Sequence, residues 1–170
     1  TATKKNARQI LNLVAERSGD FVVATAGADL EALLAGKGSG AEERSRHIRG
    51  VVANVDIGGG TANTAFFHRG KLIGTVTFHV GGRLIRLTRS GEILSVSAQI
   101  APWLQAKGFA LEAGGRVSFE RLKDIAASLN RSMLSVLGGG GPDPAAQLLI
   151  LGEPPAHVPD IEELMVSGGV

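Results

Sequence analysis

The stretch VANVDIGGGTANTAFF, residues 52 to 67, constrains this chain more than any other part of it. An apolar run ends on an aspartate, three glycines follow in a row, and a threonine opens a second run rich in strand-forming residues. Val, Ile, Thr and Phe dominate here and in the next segment, so strands are expected over 51–57, 62–68 and 71–80, with HRGK as a tight turn between the last two. Three glycines between strands can turn several backbone N–H groups toward one space, because no Cβ blocks positive φ or close approach. Such a nest suits an anion, most often a phosphate. Asp56, at the strand end, is then placed to hold a divalent metal directly or through water. Mg²⁺ keeps several waters, so one carboxylate suffices for it. The Thr61 hydroxyl can bond a phosphate oxygen or a metal-bound water. The alternative for Gly58, Gly59 and Gly60 is a hairpin turn that serves no ligand.

Other phosphate loops are excluded by their own requirements. GKGSG at 36–40 is not a P-loop, since Lys37 is followed by Gly38 and not by Ser or Thr. The stretch 58–63 has Asn63 where a dinucleotide fingerprint needs its third glycine, and it leads into a strand, not a helix. Six Phe, one Trp and no Tyr in 170 residues make a poor stacking platform for single-stranded nucleic acid. The net charge is only +2, and AEERSRHIRG mixes both signs as a solvated face does. The absence of cysteine excludes disulfides, zinc ribbons and thiol chemistry, and fits a reducing compartment. No apolar run has the length of a membrane span and no signal peptide is visible. A chain that opens without Met and ends on MVSGGV reads as an internal piece of something longer.

Around the glycine hairpin the periodicity predicts a helix over 3–17, a short strand at FVVAT, and a second helix from Asp29 to Leu34 leading into GKGSG as a flexible joint. Beyond the meander come a strand over 92–96, a helix over 98–107, and a long amphipathic helix from Ser118, its N-cap, to Leu137. Leu122, Ile125, Ala126, Leu129, Met133, Val136 and Leu137 line one face of it. Residues 145–151 are open between helix and strand, and ELMVS reads as a last buried strand. His68 and His79 are candidates to face each other across the meander as a metal pair, with exposed strand histidines as the plainer alternative. Arg83 and Arg86 either reach an anion or a partner, or lie on a helix surface. Trp103 and Leu104 form either a partner patch or core.

In this order, DIGGGT, then a meander ending in HVGGRLIRL, then LMVSGG, the chain resembles the second domain of actin-like ATPases. In those proteins an Asp-x-Gly-Gly-Gly-Thr hairpin opens the domain, a Gly-Gly pair precedes a helix, and a later strand with a Gly-Gly turn contacts adenosine. The resemblance implies an α/β, ribonuclease-H-like fold: a mixed sheet with an antiparallel three-strand meander flanked by helices. Within that superfamily, KKNARQILNLVAERSGDFVVATAGADLEALLAGKGSGA, NVDIGGGTANTAFFHRGKLI and HVGGRLIRL are similar to the reactivating factors of ethanolamine ammonia-lyase. By that resemblance, residues 1–49 would be the tail of a first lobe and an inter-lobe joint, and 50–170 the second lobe. The same resemblance implies a role for each site residue. Asp56 would hold Mg²⁺ through water, and Gly58, Gly59 and Gly60 would cradle the β- and γ-phosphates of ATP. Thr61 would bond a terminal phosphate oxygen, and Gly168 and Gly169 would flank the adenosine.

The function implied is ATP- and Mg²⁺-dependent, chaperone-like release of damaged cobalamin from ethanolamine ammonia-lyase. It would take place in the cytoplasm or in association with a bacterial microcompartment, with no nucleic acid or membrane as partner. The first phosphate loop of the superfamily has no counterpart upstream, and Gly27 stands where relatives carry a water-orienting glutamate, with Asp29 and Glu31 nearby. No catalytic base is assigned, and a weak ATPase is expected of the complete protein and little of this piece alone. The rival reading is a structural, cell-division-type actin-like scaffold with little turnover. A sugar or acyl kinase would need a catalytic aspartate that has no candidate here.

Overall fold

The computed structural model describes residues 27–139, 143–153, 157 and 159–169, so the helix expected over 3–17 and the strand at FVVAT lie outside the described residues. Five strands form one sheet in the order β6-β3-β2-β1-β7: β1 (Val51–Ile57), β2 (Ala62–His68), β3 (Lys71–Phe78), β6 (Ile150–Leu151) and β7 (Ile161–Gly168). β1, β2 and β3 are the antiparallel meander, and β7 joins β1 in parallel. This is the mixed sheet with an antiparallel three-strand meander that the sequence implies, in an α/β arrangement. The turn from β2 to β3 has positive φ at Arg69 (53°) and Gly70 (74°), the left-handed pair a two-residue hairpin requires. It docks on Ser45, whose carbonyl accepts from the Arg69 N–H and whose hydroxyl accepts from the Gly70 N–H.

β1 is buried from Val51 to Val55 because both faces of the sheet are covered. One face carries Val51, Ala53, Val55, Ala62, Phe66, Val76 and Phe78 against α3 (Ala101–Ala106), α4 (Phe119–Leu137) and α5 (Pro144–Gln147). α4 starts where expected: the Ser118 hydroxyl accepts from the Arg121 N–H at 3.2 Å, and Ile125, Leu129, Met133, Val136 and Leu137 point inward. Trp103 and Leu104 are core, not a docking patch. The Trp103 ring stacks on Phe109 with centroids 5.8 Å apart, and its Nε1–H donates to Ser132 Oγ at 3.1 Å. Replacing Ser132 with alanine leaves that indole N–H buried and unpaired. The urea midpoint should fall by the equivalent of about 1–2 kcal/mol with an unchanged slope; an unshifted midpoint would remove this bond from the core's account.

The other face carries Val52, Ala65 and Phe67 against α1 (Ala28–Gly38) and α2 (Ala41–Arg44). GKGSG is therefore the end of a helix and its cap, not a free joint. Gly36 is buried where a Cβ would overlap the Phe67 ring, which is why a glycine sits inside that helix.

Other expectations are corrected or decided. The segment after Gly81–Gly82 is not a helix. Ile85–Leu87 is a short strand, β4, paired with β5 (Ile93–Val96) in a second sheet, so Arg86 lies on a strand. Residues 144–151 are both alternatives in turn, α5 and then β6. β7 is not buried: among the described residues it is the sheet edge, with Leu164 and Val166 exposed. His68 pairs with Lys71 at the turn end of the meander while Phe78, next to His79, pairs with Ala62 at the opposite end. The two histidines do not face each other, and among the described residues no cluster of three potential metal ligands occurs.

Candidate functional site

Parallel pairing of β1 with β7 brings the carboxyl ends of both strands to one edge of the sheet, the place where ligands bind in open α/β sheets. The register sets Asp56 beside Ser167 and Ile57 beside Gly168. The DIGGGT hairpin and the final Gly-Gly turn, more than a hundred residues apart in sequence, are thus neighbours. Asp56, Gly58, Gly59, Gly60, Thr61, Gly168 and Gly169 all lie at this edge.

The glycines divide by what each is needed for. Gly58 donates its N–H to Thr61 O at 2.9 Å, closing the loop. None of Gly58, Gly59 and Gly60 has positive φ, so the left-handed freedom expected of them is not used. Close approach is the demand instead, and it falls hardest on a residue outside the hairpin. A Cβ on Gly81 would stand 2.7 Å from Gly58 O, Gly59 C and Gly60 N. Two backbone bonds then fasten the second glycine turn to the first, from Gly82 N to Gly58 O (3.1 Å) and from Arg83 N to Gly59 O (2.7 Å). Gly168, at φ 128°, is equally fixed, since a Cβ there would overlap Ile57 O. Gly60 and Gly169 differ: among the described residues, no atom beyond the chain neighbours lies within 4 Å of a Cβ placed on either. The fold does not require glycine at these two positions. Among the described residues the N–H groups of Gly59, Gly60 and Thr61 donate to no protein acceptor, so the loop offers three free donors, with open space beside Gly60.

A polar row runs beneath the loop on the α1 side of the sheet. Asn54, fully buried, donates from Nδ2 to Ser167 Oγ at 3.0 Å, and Ser167 donates to Asp56 Oδ1, also at 3.0 Å. The Asn54 amide fixes the polarity: Ser167 accepts from it and spends its own hydrogen on the carboxylate. Asn54 Oδ1 is left buried without a partner, a cost of about 1–3 kcal/mol that an apolar residue would avoid. Asn63, opposite Asp56 on β2, accepts from Thr77 Oγ1 at 3.1 Å and reaches Glu31 Oε2 at 3.5 Å, while Thr75 donates to Asp29 at 2.5 Å. α1 therefore carries Asp29 and Glu31 over the sheet face from which Asp56 projects. Asn54, Asn63 and Ser167 are absent from the candidate site residues read from the sequence, where Asn63 served only to exclude a dinucleotide fingerprint. A signal for one of them exists: Asn54 is two residues before Asp56 in a strand, hence on the same face. Removing the Ser167 hydroxyl (Ser167→Ala) should leave the chain folded and loosen the carboxylate, weakening any Mg²⁺-dependent binding at Asp56 about tenfold or more. Binding equal to wild type would make the row a packing feature only.

Across all residues, 1–170, the chain matches the family model of ethanolamine utilisation protein EutA. It is 34% identical over 178 residues to the ethanolamine ammonia-lyase reactivase EutA of Salmonella typhimurium, covering 100% of this chain and 36% of that protein. To the protein of the same name from Escherichia coli it is 45% identical over 94 residues, 55% of this chain and 20% of the relative. The chain thus spans about a third or less of the relatives it matches. Among solved structures, an Aquifex aeolicus member of the Ppx/GppA family overlaps 78% of this chain and 35% of its own, with TM-score 0.39 and 21% identity. MreB 5 of Spiroplasma citri, solved with AMPPNP, overlaps 48% and 23%, with TM-score 0.25 and 22% identity. Assignment rests on the family match across the whole chain, not on these overlaps. The chain belongs to the ethanolamine utilisation protein EutA family.

Proposed function

We propose that this chain carries the phosphate hairpin of an ATP-dependent reactivating factor, a protein that releases damaged cobalamin from ethanolamine ammonia-lyase so that intact cofactor can enter. The observation that carries the reading is Gly60, a glycine required neither by φ nor by packing, beside free N–H donors and above a carboxylate held in place by Ser167. In this reading the N–H groups of Gly59, Gly60 and Thr61 bind phosphate oxygens, with the Thr61 hydroxyl on a terminal one. Asp56 holds a water of Mg²⁺, and Gly168 and Gly169 leave the adenosine room at the end of β7. The metal, when bound, supplies neutralisation of phosphate charge. Residues 50–170 form the body of the lobe with the hairpin, and α1 and α2, which precede it in sequence, pack on its sheet as part of the same unit. Nucleotide state would bias the position of one lobe against another and so act on the lyase. The names of the two relatives support the partner. Among the described residues no helix is long and apolar enough to cross a membrane, and the setting we propose is the cytoplasm or a microcompartment.

Two readouts on the complete protein test this. Cobalamin-inactivated ethanolamine ammonia-lyase should recover ammonia release when given the protein, ATP, Mg²⁺ and fresh adenosylcobalamin, and should not recover without ATP. The Gly60→Ala variant should melt like wild type yet lose most of that recovery. Equal rescue by wild type and variant would mean that the loop holds no phosphate; no rescue by wild type with an active lyase would remove the proposed partner.

A further inference from the structure

Beside the hairpin stands a cation to which the proposed reading gives no role. Arg83 follows the Gly81–Gly82 turn, and its N–H donates to Gly59 O at 2.7 Å. Its side chain then runs along the loop: a Cβ on Gly59 would stand 3.2 Å from both Cδ and Nε of Arg83. Among the described residues the guanidinium has no carboxylate partner and no side-chain hydrogen bond, although Lys37, Arg44, Arg46, Lys107 and Lys123 all hold carboxylates. An exposed, unpaired arginine is ordinary on a surface. One anchored by its own backbone to a loop of free N–H donors is not, because five donors in a planar fork are added to three already free on that loop.

The anchoring decides what the arginine can do. With its N–H bonded to Gly59 O and its neighbour Gly82 bonded to Gly58 O, the Arg83 backbone moves with the hairpin, so only the side chain remains to be ordered when the guanidinium meets an anion. A guanidinium favours bidentate pairing with phosphate, and the pairing is strongest where further donors share the charge.

We infer that Arg83 binds the terminal phosphate of the nucleotide held on the glycine hairpin and thereby distinguishes a triphosphate from a monophosphate. This rests on the reading of the hairpin as a nucleotide site. The Gly81–Gly82 turn meets the hairpin through backbone alone, and its next residue adds a positive charge beside the loop. The carbon chain of Arg83 lies against Gly59, with its Cδ 3.2 Å from the position of a Cβ there.

The test is titration of the complete protein with ATP, ADP and AMP at fixed Mg²⁺, for wild type, Arg83→Ala and Arg83→Lys. The alanine variant should bind ATP about tenfold to a hundredfold more weakly and AMP within about twofold of wild type. Lysine should restore part of the loss, as a point charge without the fork. If alanine unfolds the loop, seen as a lowered melting temperature, Arg83→Gln carries the same expectation. Unchanged ATP affinity in a variant of a protein that binds ATP overturns the inference and leaves the hairpin reading intact. Equal weakening of ATP and AMP makes Arg83 a support for the loop, which also overturns it. A wild-type protein that binds neither ATP nor inorganic triphosphate overturns both.

Discussion

Replacing Gly168 with alanine should lower the stability of the chain by on the order of 3 kcal/mol and abolish nucleotide binding with it. Two demands coincide at this residue. Its φ of 128° lies where residues with a Cβ are strained, and the added carbon would overlap Ile57 O. Neither is relieved by a rotamer, because both involve only backbone. The strand can respond only by retreating from β1, which separates Ser167 from Asp56 and pulls the Gly-Gly turn off the end of the hairpin. The urea midpoint should fall with little change in slope. Gly169→Ala is the internal control. Among the described residues, no atom beyond the chain neighbours lies within 4 Å of its Cβ position, so its midpoint should match wild type while binding of the adenosine moiety weakens. Equal midpoints for both variants would mean that β7 does not press on Ile57 as described.

The second large effect is functional. Asp56→Asn keeps the size of the side chain and an oxygen for the Ser167 hydroxyl, so folding should be unaffected. It removes the charge on which a magnesium-bound water depends. In the complete protein, ATP affinity in the presence of Mg²⁺ should fall about a hundredfold, to the level wild type shows with EDTA, and the variant should no longer respond to Mg²⁺. An asparagine variant that still tightens on ATP when Mg²⁺ is added would exclude Asp56 from the metal site. Ser167→Ala, which leaves the charge and loosens its orientation, should lie between the two.

These residues mark what can be read from the chain and what cannot. β1 and β2 are legible to the residue, because apolar runs bounded by an aspartate and three glycines on one side and HRGK on the other leave little freedom. Ser118 and most of the stripe of α4 are equally plain, since capping and a 3.6-residue period are local signals, although Ala126 is exposed and Ser128 and Ser132 are buried on that face. β4 is not: Leu84, Ile85 and Leu87 suit a helix face as well as a strand, and only pairing with β5 decides. Burial of β7 is overestimated from LMV alone, which does not reveal that its strand is an edge. At the site, Asp56, Gly58, Gly59, Gly60 and Thr61 are visible as a motif. The reason for the glycines is visible only in part, because Gly81 and Gly168 act through contacts with residues distant in sequence. Asn54 and Ser167 belong to the same class. Each is an ordinary polar residue in its own strand, and only the parallel register of β1 with β7 turns them into a support for a carboxylate.

Whether the glycine hairpin is a phosphate nest is best decided by amide hydrogen exchange on the complete protein, with and without Mg²⁺ and ATP, because the donors in question are backbone N–H groups. Nucleotide should slow exchange at Gly59, Gly60 and Thr61 and at the Gly168–Gly169 turn, with much less change along β3 and α4. Asp56→Asn should abolish the slowing. Protection that appears elsewhere, with these amides exchanging as freely as before, would mean that the hairpin holds no phosphate.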